Sequence, residues 1–280
     1  MMRLVSLTPS NTEIVYALGL ENWLVGVDDH SDYPPEVVAR LPKVGPDLQI
    51  DIDRVAALEP DLVLASLSVP GMERVVEALE HRGLPHVVLN PLSLDDVFAD
   101  IRRVGDLTGQ LPRAEQLIVD LKERLEAVRQ VAEAGERARG GRPVRVFWEW
   151  WPRPLISPGR ASWINDVCRL AGAENIFSDL DAPSRPVSED EVLARDPDAV
   201  CLCWCGTLQK AMDPARVRSR PGWERLRAVR EGRIYALPEE LFGRPGPRLV
   251  EGAAMLAGIL HGSTAADGMG ELDRPDAVHP

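Results

Sequence analysis

Residues 50–63 read IDIDRVAALEPDLV, and residues 187–200 read VSEDEVLARDPDAV. Each stretch is typical of a short helix, a Pro-Asp turn and an apolar run of the kind found in buried strands. The same helix–turn–strand unit therefore occurs once in each half of the chain. This predicts that the second half re-uses the plan of the first.

Two further pairs of segments recur in the same order. Residues 18–22, LGLEN, match residues 171–175, AGAEN, and each closes an amphipathic helix with a glycine. Residues 83–89, GLPHVVL, match residues 232–237, GRIYAL, where a glycine turn leads into an apolar strand. Helix and strand alternate throughout, which indicates the α/β class. We predict two Rossmann-like lobes with mostly parallel sheets.

A long amphipathic helix is predicted between the lobes, over about residues 112–137. Its apolar face carries Leu117, Leu121, Leu125 and Val128. At 1.5 Å per residue, such a helix is about 40 Å long and would act as a backbone that limits hinge motion. An ordinary linker helix is the alternative. The predicted parts are an N-terminal lobe over 1–111, a connecting helix over 112–141, a C-terminal lobe over 142–262 and a disordered tail over 263–280.

Charge and motifs exclude several classes of function. The net charge of −12 disfavours a nucleic-acid partner, because such binding depends on Lys and Arg that neutralise phosphates. The sequence contains no apolar run of the roughly 18 residues that a membrane-spanning helix requires. It also lacks a phosphate loop, a Gly-x-Ser-x-Gly elbow and a His-Glu-x-x-His zinc motif. These absences disfavour an enzyme, and we expect the chain to be a monomer.

Two features bear on the compartment. The chain begins MMRLVSL and enters a strand-like segment without the basic start, apolar run and cleavage site of a secretory signal. Cys168, Cys201, Cys203 and Cys205 are predicted to be reduced thiols, since three of them alternate along one short segment. We therefore expect a cytoplasmic protein, or a periplasmic or cell-surface one if a signal has been removed. The thiols would be buried, or Cys203 and Cys205 would bind a soft metal.

Six short segments carry a resemblance to a known family. They are VSLTPSNTE at 5–13, SDYPP at 31–35, LEPDLV at 58–63, AENIF at 173–177, VS at 187–188 and PR at 247–248. Together they resemble the class III periplasmic-binding-protein family, which includes vitamin B12, iron-siderophore and haem receptors, over about residues 3–261. The pattern is most similar to the cobalamin-binding proteins of ABC importers. The resemblance implies two α/β lobes on one long helix, with cobalamin or an iron chelate held in the cleft between them.

Ligands of open parallel sheets bind beyond the carboxyl ends of the strands. The run FWEWWPRP at 147–154 should leave the first strand of the second lobe at such an end, and Trp204 should follow a neighbouring strand. Tyr33 belongs to a family-like segment, and Phe242 and Arg244 to a loop that lines the cleft in similar receptors. The predicted ligand contacts are His30, Tyr33, Glu149, Trp150, Trp151, Trp204, Phe242 and Arg244.

Three of these residues allow more than one role. Glu149 would contact the ligand or pair with Arg153, Arg160 or Arg244, because an unpaired acid is costly to bury. His30 could be the axial ligand of a chelated metal, or an unengaged loop histidine. Arg244 could bind a phosphate or carboxylate of the ligand through its planar guanidinium, or belong to a plain helix-entry loop.

Several cleft positions that are aromatic in B12 receptors carry other residues here. They are His30, Asp47, Ser66, Ile156 and Ser184. The imidazole of His30 is the one aromatic ring at these positions. The ligand is therefore left open between a corrinoid and another metal chelate. Two functions remain: a substrate-binding protein of an ABC importer, or a cytoplasmic protein that binds, senses or modifies such a chelate. An interaction module on the same fold is a third interpretation.

Asp53 and Asp190 match the acidic residue that family members carry at the tip of each lobe, which meets arginines of the transporter's membrane subunit. Both are aspartate where glutamate is usual, so the carboxylate is kept and its reach is shortened. Acids at helix starts also complement the helix dipole, which is the alternative explanation.

Residues 10–13, SNTE, are predicted to form a capping box before the first helix.

Overall fold

The computed structural model describes residues 1–262, so the predicted disordered tail over 263–280 lies outside the described residues. The N-terminal lobe contains β1 (Leu4–Ser6), α1 (Pro9–Ala17), β2 (Leu24–Val27), α2 (Pro35–Val38), α3 (Ile52–Ala57), β3 (Leu62–Ser66), α4 (Glu73–Arg82), β4 (His86–Leu89) and α5 (Leu94–Leu107). The lobes are joined by α6 (Leu111–Ala138).

The C-terminal lobe begins with an inserted hairpin after its first strand. Its elements are β5 (Val144–Glu149), β6 (Trp151–Pro152), β7 (Leu155–Pro158), α7 (Ile164–Leu170), β8 (Ala173–Asn175), β9 (Ser184–Pro186), α8 (Glu189–Arg195), β10 (Ala199–Leu202), α9 (Pro214–Arg218), α10 (Arg227–Arg230), β11 (Ile234–Ala236), α11 (Glu239–Phe242) and α12 (Leu249–His261). Strands β6, β7 and β9 form a small antiparallel sheet that the sequence did not predict.

Each lobe has a four-stranded parallel sheet, and the two sheets share one topology. The strand order is β2-β1-β3-β4 in the N-terminal lobe and β8-β5-β10-β11 in the C-terminal lobe. The two Pro-Asp turns lead into β3 and β10, which occupy the same place in separate sheets. The predicted α/β fold of two repeated lobes is confirmed.

The repeat extends to individual hydrogen bonds. In the N-terminal lobe, the Asp61 carboxylate accepts a hydrogen bond of 2.7 Å from the Arg3 backbone N–H. In the C-terminal lobe, the Asp198 carboxylate accepts one of 3.0 Å from the Arg145 backbone N–H. Each bond joins the start of a central strand to the start of its neighbour. The aspartate of each Pro-Asp turn therefore holds two strands in register.

Helix α6 has 28 residues, from Leu111 to Ala138, and so spans about 42 Å. It begins one residue before the predicted start. It buries all four residues of its predicted apolar face, and it packs against α5, α7 and α12. One continuous apolar cluster includes side chains of both lobes and of this helix, so the connector shares the core of the protein. Within residues 1–262, no helix is both long enough and apolar enough to cross a membrane.

Candidate functional site

A cleft of about 410 Å³ lies between the lobes. The residues that line it follow the carboxyl ends of β1, β2 and β3 in one lobe and of β10 and β11 in the other. They are Thr8, Pro9, Ser10, His30, Asp32, Asp47, Ser68, Val69, Met72, Cys205, Gly206, Thr207, Leu208, Glu239, Glu240, Gly243, Arg244 and Pro245. Both the position and the volume are typical of a small-molecule binding site.

The cleft combines an imidazole from one lobe with apolar side chains from both lobes. His30 contributes an imidazole from the N-terminal lobe, and its side chain is 54% exposed with Nε2 3.7 Å from an Asp47 carboxylate oxygen. Apolar side chains come from both lobes, with Leu208 at 68% exposure and Val69 at 37%. An exposed leucine in a cleft is an apolar surface that a ligand could cover. The cleft therefore offers an exposed imidazole together with apolar contact surface.

Arg244 links the two lobes at the edge of the cleft. Its guanidinium donates hydrogen bonds of 2.6 and 3.0 Å to Asp32, which belongs to the N-terminal lobe. Its Nε donates to Glu239 of its own lobe at 3.0 Å, and its Nη1 lies 3.4 Å from the Glu13 carboxylate. The predicted ligand-binding fork of Arg244 is thus occupied by protein carboxylates. Arg244 does line the cleft, but its observed contacts are with carboxylates of both lobes.

Glu13 is the buried acid of this inter-lobe cluster, with 2% of its side chain exposed. Arg248 also reaches it, with Nη1 3.7 Å away, while one Glu13 oxygen has no hydrogen-bond partner. Burial raises the pKa of Glu13 to about 8, against the opposing charges of the two arginines. Burial alone would raise the pKa of Asp32 too, but its hydrogen bond to Arg244 holds that pKa below the usual range.

Glu13 does not form the predicted capping box. Helix α1 begins at Pro9, and its N-cap residue Thr8 makes no side-chain capping bond. The segment instead lies two residues further into the helix, and Glu13 faces Arg244 and Arg248. The prediction of the capping box was wrong because the fixed φ of Pro9 already suits the first helical position.

Glu149 is fully buried and does not reach the cleft. Arg220 donates two hydrogen bonds to its carboxylate, at 2.5 and 2.9 Å, and Trp204 Nε1 donates a third at 3.1 Å. Of the two roles predicted for Glu149, ligand contact and pairing with an arginine, the structure shows the pairing. The partner is none of the three arginines proposed from the sequence, because Arg220 lies 71 residues along the chain. Buried acids are retained when paired in this way.

The predicted tryptophan contacts are core residues or lie away from the cleft. Trp204 is 7% exposed and bonds to Glu149. Trp150 packs on the Trp163 ring with centroids 5.6 Å apart. Trp151 is 40% exposed but pairs with Ile156 in the inserted hairpin. The expectation failed for Trp150 and Trp151 because the chain enters that hairpin directly after β5, and for Trp204 because its ring is buried and bonds to Glu149.

Two other predicted contacts also lie outside the cleft lining. Phe242 is fully buried against Trp148, with ring centroids 5.4 Å apart. The Tyr33 ring is covered by the Arg248 guanidinium at 4.2 Å and by Tyr16, edge-on at 5.4 Å. Of the eight predicted ligand contacts, only His30 and Arg244 line the cleft.

The four thiols are unbridged, as predicted. Cys168, Cys201 and Cys203 are buried, and burial raises the pKa of Cys168 to about 12. Cys205 is exposed and lines the cleft. Among residues 1–262, no three His, Cys, Asp or Glu side chains are grouped so that they could hold a metal ion. The soft-metal interpretation of Cys203 and Cys205 is therefore unsupported, and the buried thiols are apolar core residues.

Asp53 and Asp190 occupy equivalent positions, each in the first turn of a short helix. Both are exposed. Asp53 is 3.1 Å from the exposed Arg82 guanidinium, whereas no ion pair is formed by Asp190 with any described residue. Neither residue lines the cleft. The helices themselves are capped by neighbours, Asp51 and Ser188, so neither acid is needed as the N-cap.

Several cleft residues were missed in the sequence. Glu239 and Glu240 follow β11, and residues 205–208 follow β10, so the strand-end rule that singled out Trp204 also applies to them. The contacts predicted at these strand ends were mainly aromatic, so Glu239 and Glu240 were not among them. Asp32 lies near His30 in the sequence but was not among the predicted contacts, and its bond to Arg244 spans 212 residues. No local pattern indicates such a contact.

Relatives of known sequence cover nearly the whole chain. It is 32% identical over 269 residues to a vitamin B12-binding protein of Pectobacterium carotovorum, covering 94% of this chain and 91% of the relative. It is 31% identical over 265 residues to an uncharacterized ABC transporter substrate-binding lipoprotein of Bacillus subtilis, covering 94% of this chain and 81% of the relative.

Solved structures of similar proteins also match nearly the whole chain. A periplasmic haem-binding protein of Pseudomonas aeruginosa matches with a TM-score of 0.80 and 30% identity, over 94% of this chain and 93% of that one. The periplasmic vitamin B12-binding protein of Vibrio cholerae matches with a TM-score of 0.76 and 27% identity, over 96% of this chain and 98% of that one. These likenesses confirm the two-lobed fold built on one long helix.

The expectation of a cytoplasmic protein was wrong. Its similar proteins are periplasmic binding proteins and a substrate-binding lipoprotein, which work outside the cytoplasm. The argument from reduced thiols failed because three of the four are buried for packing, which is independent of the compartment. Residues 4–241 match the family model described as periplasmic binding protein. A match of this extent confirms the prediction of a substrate-binding protein and not an enzyme. The chain belongs to the periplasmic binding protein family.

Proposed function

We propose that this protein captures a corrinoid or a similar flat metal chelate in the inter-lobe cleft and delivers it to an ABC importer. The observation that carries the proposal is the presence of the exposed His30 imidazole and the exposed apolar Leu208 in one cleft. A flat chelate needs an apolar surface for its ring and a nitrogen donor for an open metal position. The relatives named for vitamin B12 and haem binding support this class of ligand.

His30 is the residue we assign to the metal. Neutral imidazole is a common ligand of iron and cobalt, and one nitrogen is enough where the chelate supplies the rest. Asp47, with a carboxylate oxygen 3.7 Å from Nε2, places a negative charge beside the ring. Leu208, Val69 and Met72 would contact the ring faces and edges. Tryptophan stacking has no part in this proposal.

The test is an absorption titration with hydroxocobalamin and, separately, with haemin. Wild-type protein should bind one of them saturably, with a shift of the metal-sensitive bands. His30→Ala should lose that band shift and weaken binding on the order of tenfold or more. His81→Ala is the matched control, because His81 is an exposed histidine on α4, away from the cleft. It should behave as wild type.

Two results would count against the proposal. If corrinoids, haem and ferric siderophores all fail to bind saturably, capture of a metal chelate is rejected. If His30→Ala binds with an unchanged band shift, capture stands but the axial role of His30 is rejected.

Docking to the importer is assigned to Asp53 and Asp190. Their equivalent positions on two repeated lobes would let one pseudo-symmetric membrane partner engage both through arginine side chains. Two contacts on one rigid body act as a bivalent attachment, so the first raises the effective concentration for the second. The continuous core through α6 supports such rigidity.

The Asp53→Lys/Asp190→Lys double variant should abolish uptake by a reconstituted cognate importer and leave ligand affinity in solution unchanged, since neither residue lines the cleft. Each single change should be less damaging than the pair. The control is Asp95→Lys/Glu224→Lys, which changes the net charge equally at two exposed acids, one of them also in a first helical turn. Normal uptake by the test variant would reject docking through these two acids.

A further inference from the structure

The C-terminal lobe has a second pocket, at the end of its sheet that faces away from the cleft. Its volume is about 520 Å³. Its lining comes from residues just before β5, β10 and β11, at their amino ends, whereas the cleft follows the carboxyl ends. Five arginines line it, and we call it the arginine pocket. They are Arg139, Arg142, Arg145, Arg227 and Arg233.

The acids in the arginine pocket do not neutralise it. Two aspartates line it, Asp196 and Asp198. Asp196 accepts a hydrogen bond from the Arg227 backbone N–H at 2.9 Å. Asp198 accepts one from the Arg145 backbone N–H at 3.0 Å and one from the Arg227 side chain at 3.0 Å. Both carboxylates are therefore engaged on the Arg145 and Arg227 side of the pocket.

Three other arginines retain donors without acceptors. The Arg142 and Arg233 guanidinium groups make no hydrogen bond or ion pair with the residues described in this structure. Arg139 Nη2 is buried without a partner, while its Nη1 contacts His261 Nδ1 at 3.1 Å. Burial, and then the positive charge of Arg233, lowers the pKa of Arg139. Like charges are thus held together at a cost, in a chain whose net charge is −12.

The corresponding end of the N-terminal lobe lacks this cluster. Arg3 and Asp61 reproduce the Arg145 and Asp198 pair, which belongs to the fold. The residue before β4, however, is Pro85, where the residue before β11 is Arg233. Arg233 is therefore an addition to the C-terminal lobe, and the repeated fold does not require it.

We propose that the arginine pocket binds a soluble anion with more than one phosphoryl group. Guanidinium groups donate in a planar fork that matches phosphoryl oxygens, and Arg142, Arg233 and Arg139 all line this pocket with donors that no described side chain accepts. Several positive charges in excess favour a multiply charged anion over a singly charged one. The concave shape favours a free anion over the flat surface of a membrane. This site is separate from the chelate cleft and does not depend on the function proposed there.

The test is calorimetric titration of the full chain with inorganic pyrophosphate at low ionic strength. Saturable binding with one site is expected, and Arg142→Gln and Arg233→Gln should each weaken it at least about tenfold, because each removes a charge-assisted contact. Arg225→Gln is the matched control, since that arginine is 82% exposed and outside the pocket, and it should weaken binding less than twofold. Citrate, of similar charge without phosphoryl groups, should bind more weakly.

Thermal melting separates this role from a merely structural one. Pyrophosphate should raise the melting temperature of wild type but not of Arg233→Gln. Without anion, Arg233→Gln should melt no lower than wild type, since it relieves repulsion with Arg139, whereas a structural arginine would lower the melting temperature when removed. The proposal is overturned if pyrophosphate does not bind, if Arg225→Gln weakens binding as much as the pocket variants, or if only anionic phospholipid vesicles bind.

Discussion

Strand β1 of the N-terminal lobe and strand β5 of the C-terminal lobe lie at the same place in their sheets, next to β3 and β10. Their registers make Leu7 and Glu149 equivalent, because Leu4 pairs with Leu62 and Val146 pairs with Ala199. Leu7 is 2% exposed in an apolar cluster, and Glu149 is fully buried against Arg220. One position of the repeated fold thus accepts either an apolar side chain or a paired charge.

The chain after these two strands also differs, and this decides which lobe supplies which part of the cleft. In the N-terminal lobe, α1 begins at Pro9, so Thr8 and Ser10 line the cleft directly. In the C-terminal lobe, the β6–β7 hairpin intervenes, and no residue from 149 to 163 lines the cleft. The hairpin therefore makes two topologically equal lobes unequal as binding walls.

The largest effect should come from giving the C-terminal lobe the residue of its counterpart. Glu149→Leu leaves Arg220 without its carboxylate, although only 15% of the Arg220 side chain is exposed. We expect the free energy of unfolding to fall by about 3–5 kcal/mol, the usual cost of breaking a buried ion pair. Guanidinium denaturation measures it.

The double variant Glu149→Leu/Arg220→Met is the control. It makes the site apolar, as it is around Leu7, and should recover most of the lost stability, because a packed apolar pair replaces buried ion pairs at little cost. Equal losses in the single and double variants would mean that the charge pair is not the reason for the loss, and that packing around Trp204 and Trp223 is.

The inter-lobe cluster around Arg244 should make the stability of the protein depend on pH, because it contains the buried acid Glu13. Burial raises the pKa of Glu13 to about 8, well above its value in an unfolded chain. Between those two pKa values the folded protein holds a proton that the unfolded chain has released. The stability of the wild type should therefore fall as pH rises through this window, by up to about 1.4 kcal/mol per pH unit from Glu13.

Glu13→Gln removes that titration and keeps the shape of the side chain. Unfolding free energies of both proteins should be measured from pH 5 to 9, and their difference isolates Glu13 from other buried acids such as Glu239, whose pKa burial also raises. We expect the stability of the variant to decrease less steeply with pH. Parallel curves would show that Glu13 is ionised throughout, held by Arg244 and Arg248.

The fold could be predicted from sequence because its signals are local and occur twice. The stretches 50–63 and 187–200 each specify a helix, a turn and a strand, and their repetition indicates two lobes. The hairpin was missed because β6 has two residues and pairs antiparallel within a run that reads as one aromatic segment. Short strands of that kind leave no periodic pattern.

The site could be predicted only in part, because its contacts are long-range. His30 follows a predicted strand and was placed in the cleft correctly. Arg220 and Arg244 select their acid partners 71 and 212 residues away, and several arginines in the sequence were equally plausible for Glu149. Tryptophans looked suited to a flat ligand, but large apolar side chains fill cores as readily as they line clefts.

The smallest effect concerns the residue before each Pro-Asp turn. Glu59 and Asp196 are the non-glycine residues with positive φ in the part of the chain that the structure describes, at 48° and 38°. Left-handed backbone costs a side-chain-bearing residue about 1–2 kcal/mol, which glycine avoids. The Glu59 side chain is exposed, so Glu59→Gly should be neutral or stabilising by less than about 1 kcal/mol.

Asp196→Gly relieves the same backbone strain but removes the carboxylate that accepts from the Arg227 N–H at 2.9 Å. Loss of such a contact at a helix start costs about 1 kcal/mol, so Asp196→Gly should be less stable than Glu59→Gly by about that amount. Urea denaturation of the two single variants and of Asp196→Asn, which keeps the acceptor oxygen, measures the difference. If both glycine variants shift stability equally, the Asp196 carboxylate contributes nothing there, and the two turns are energetically as well as geometrically equivalent.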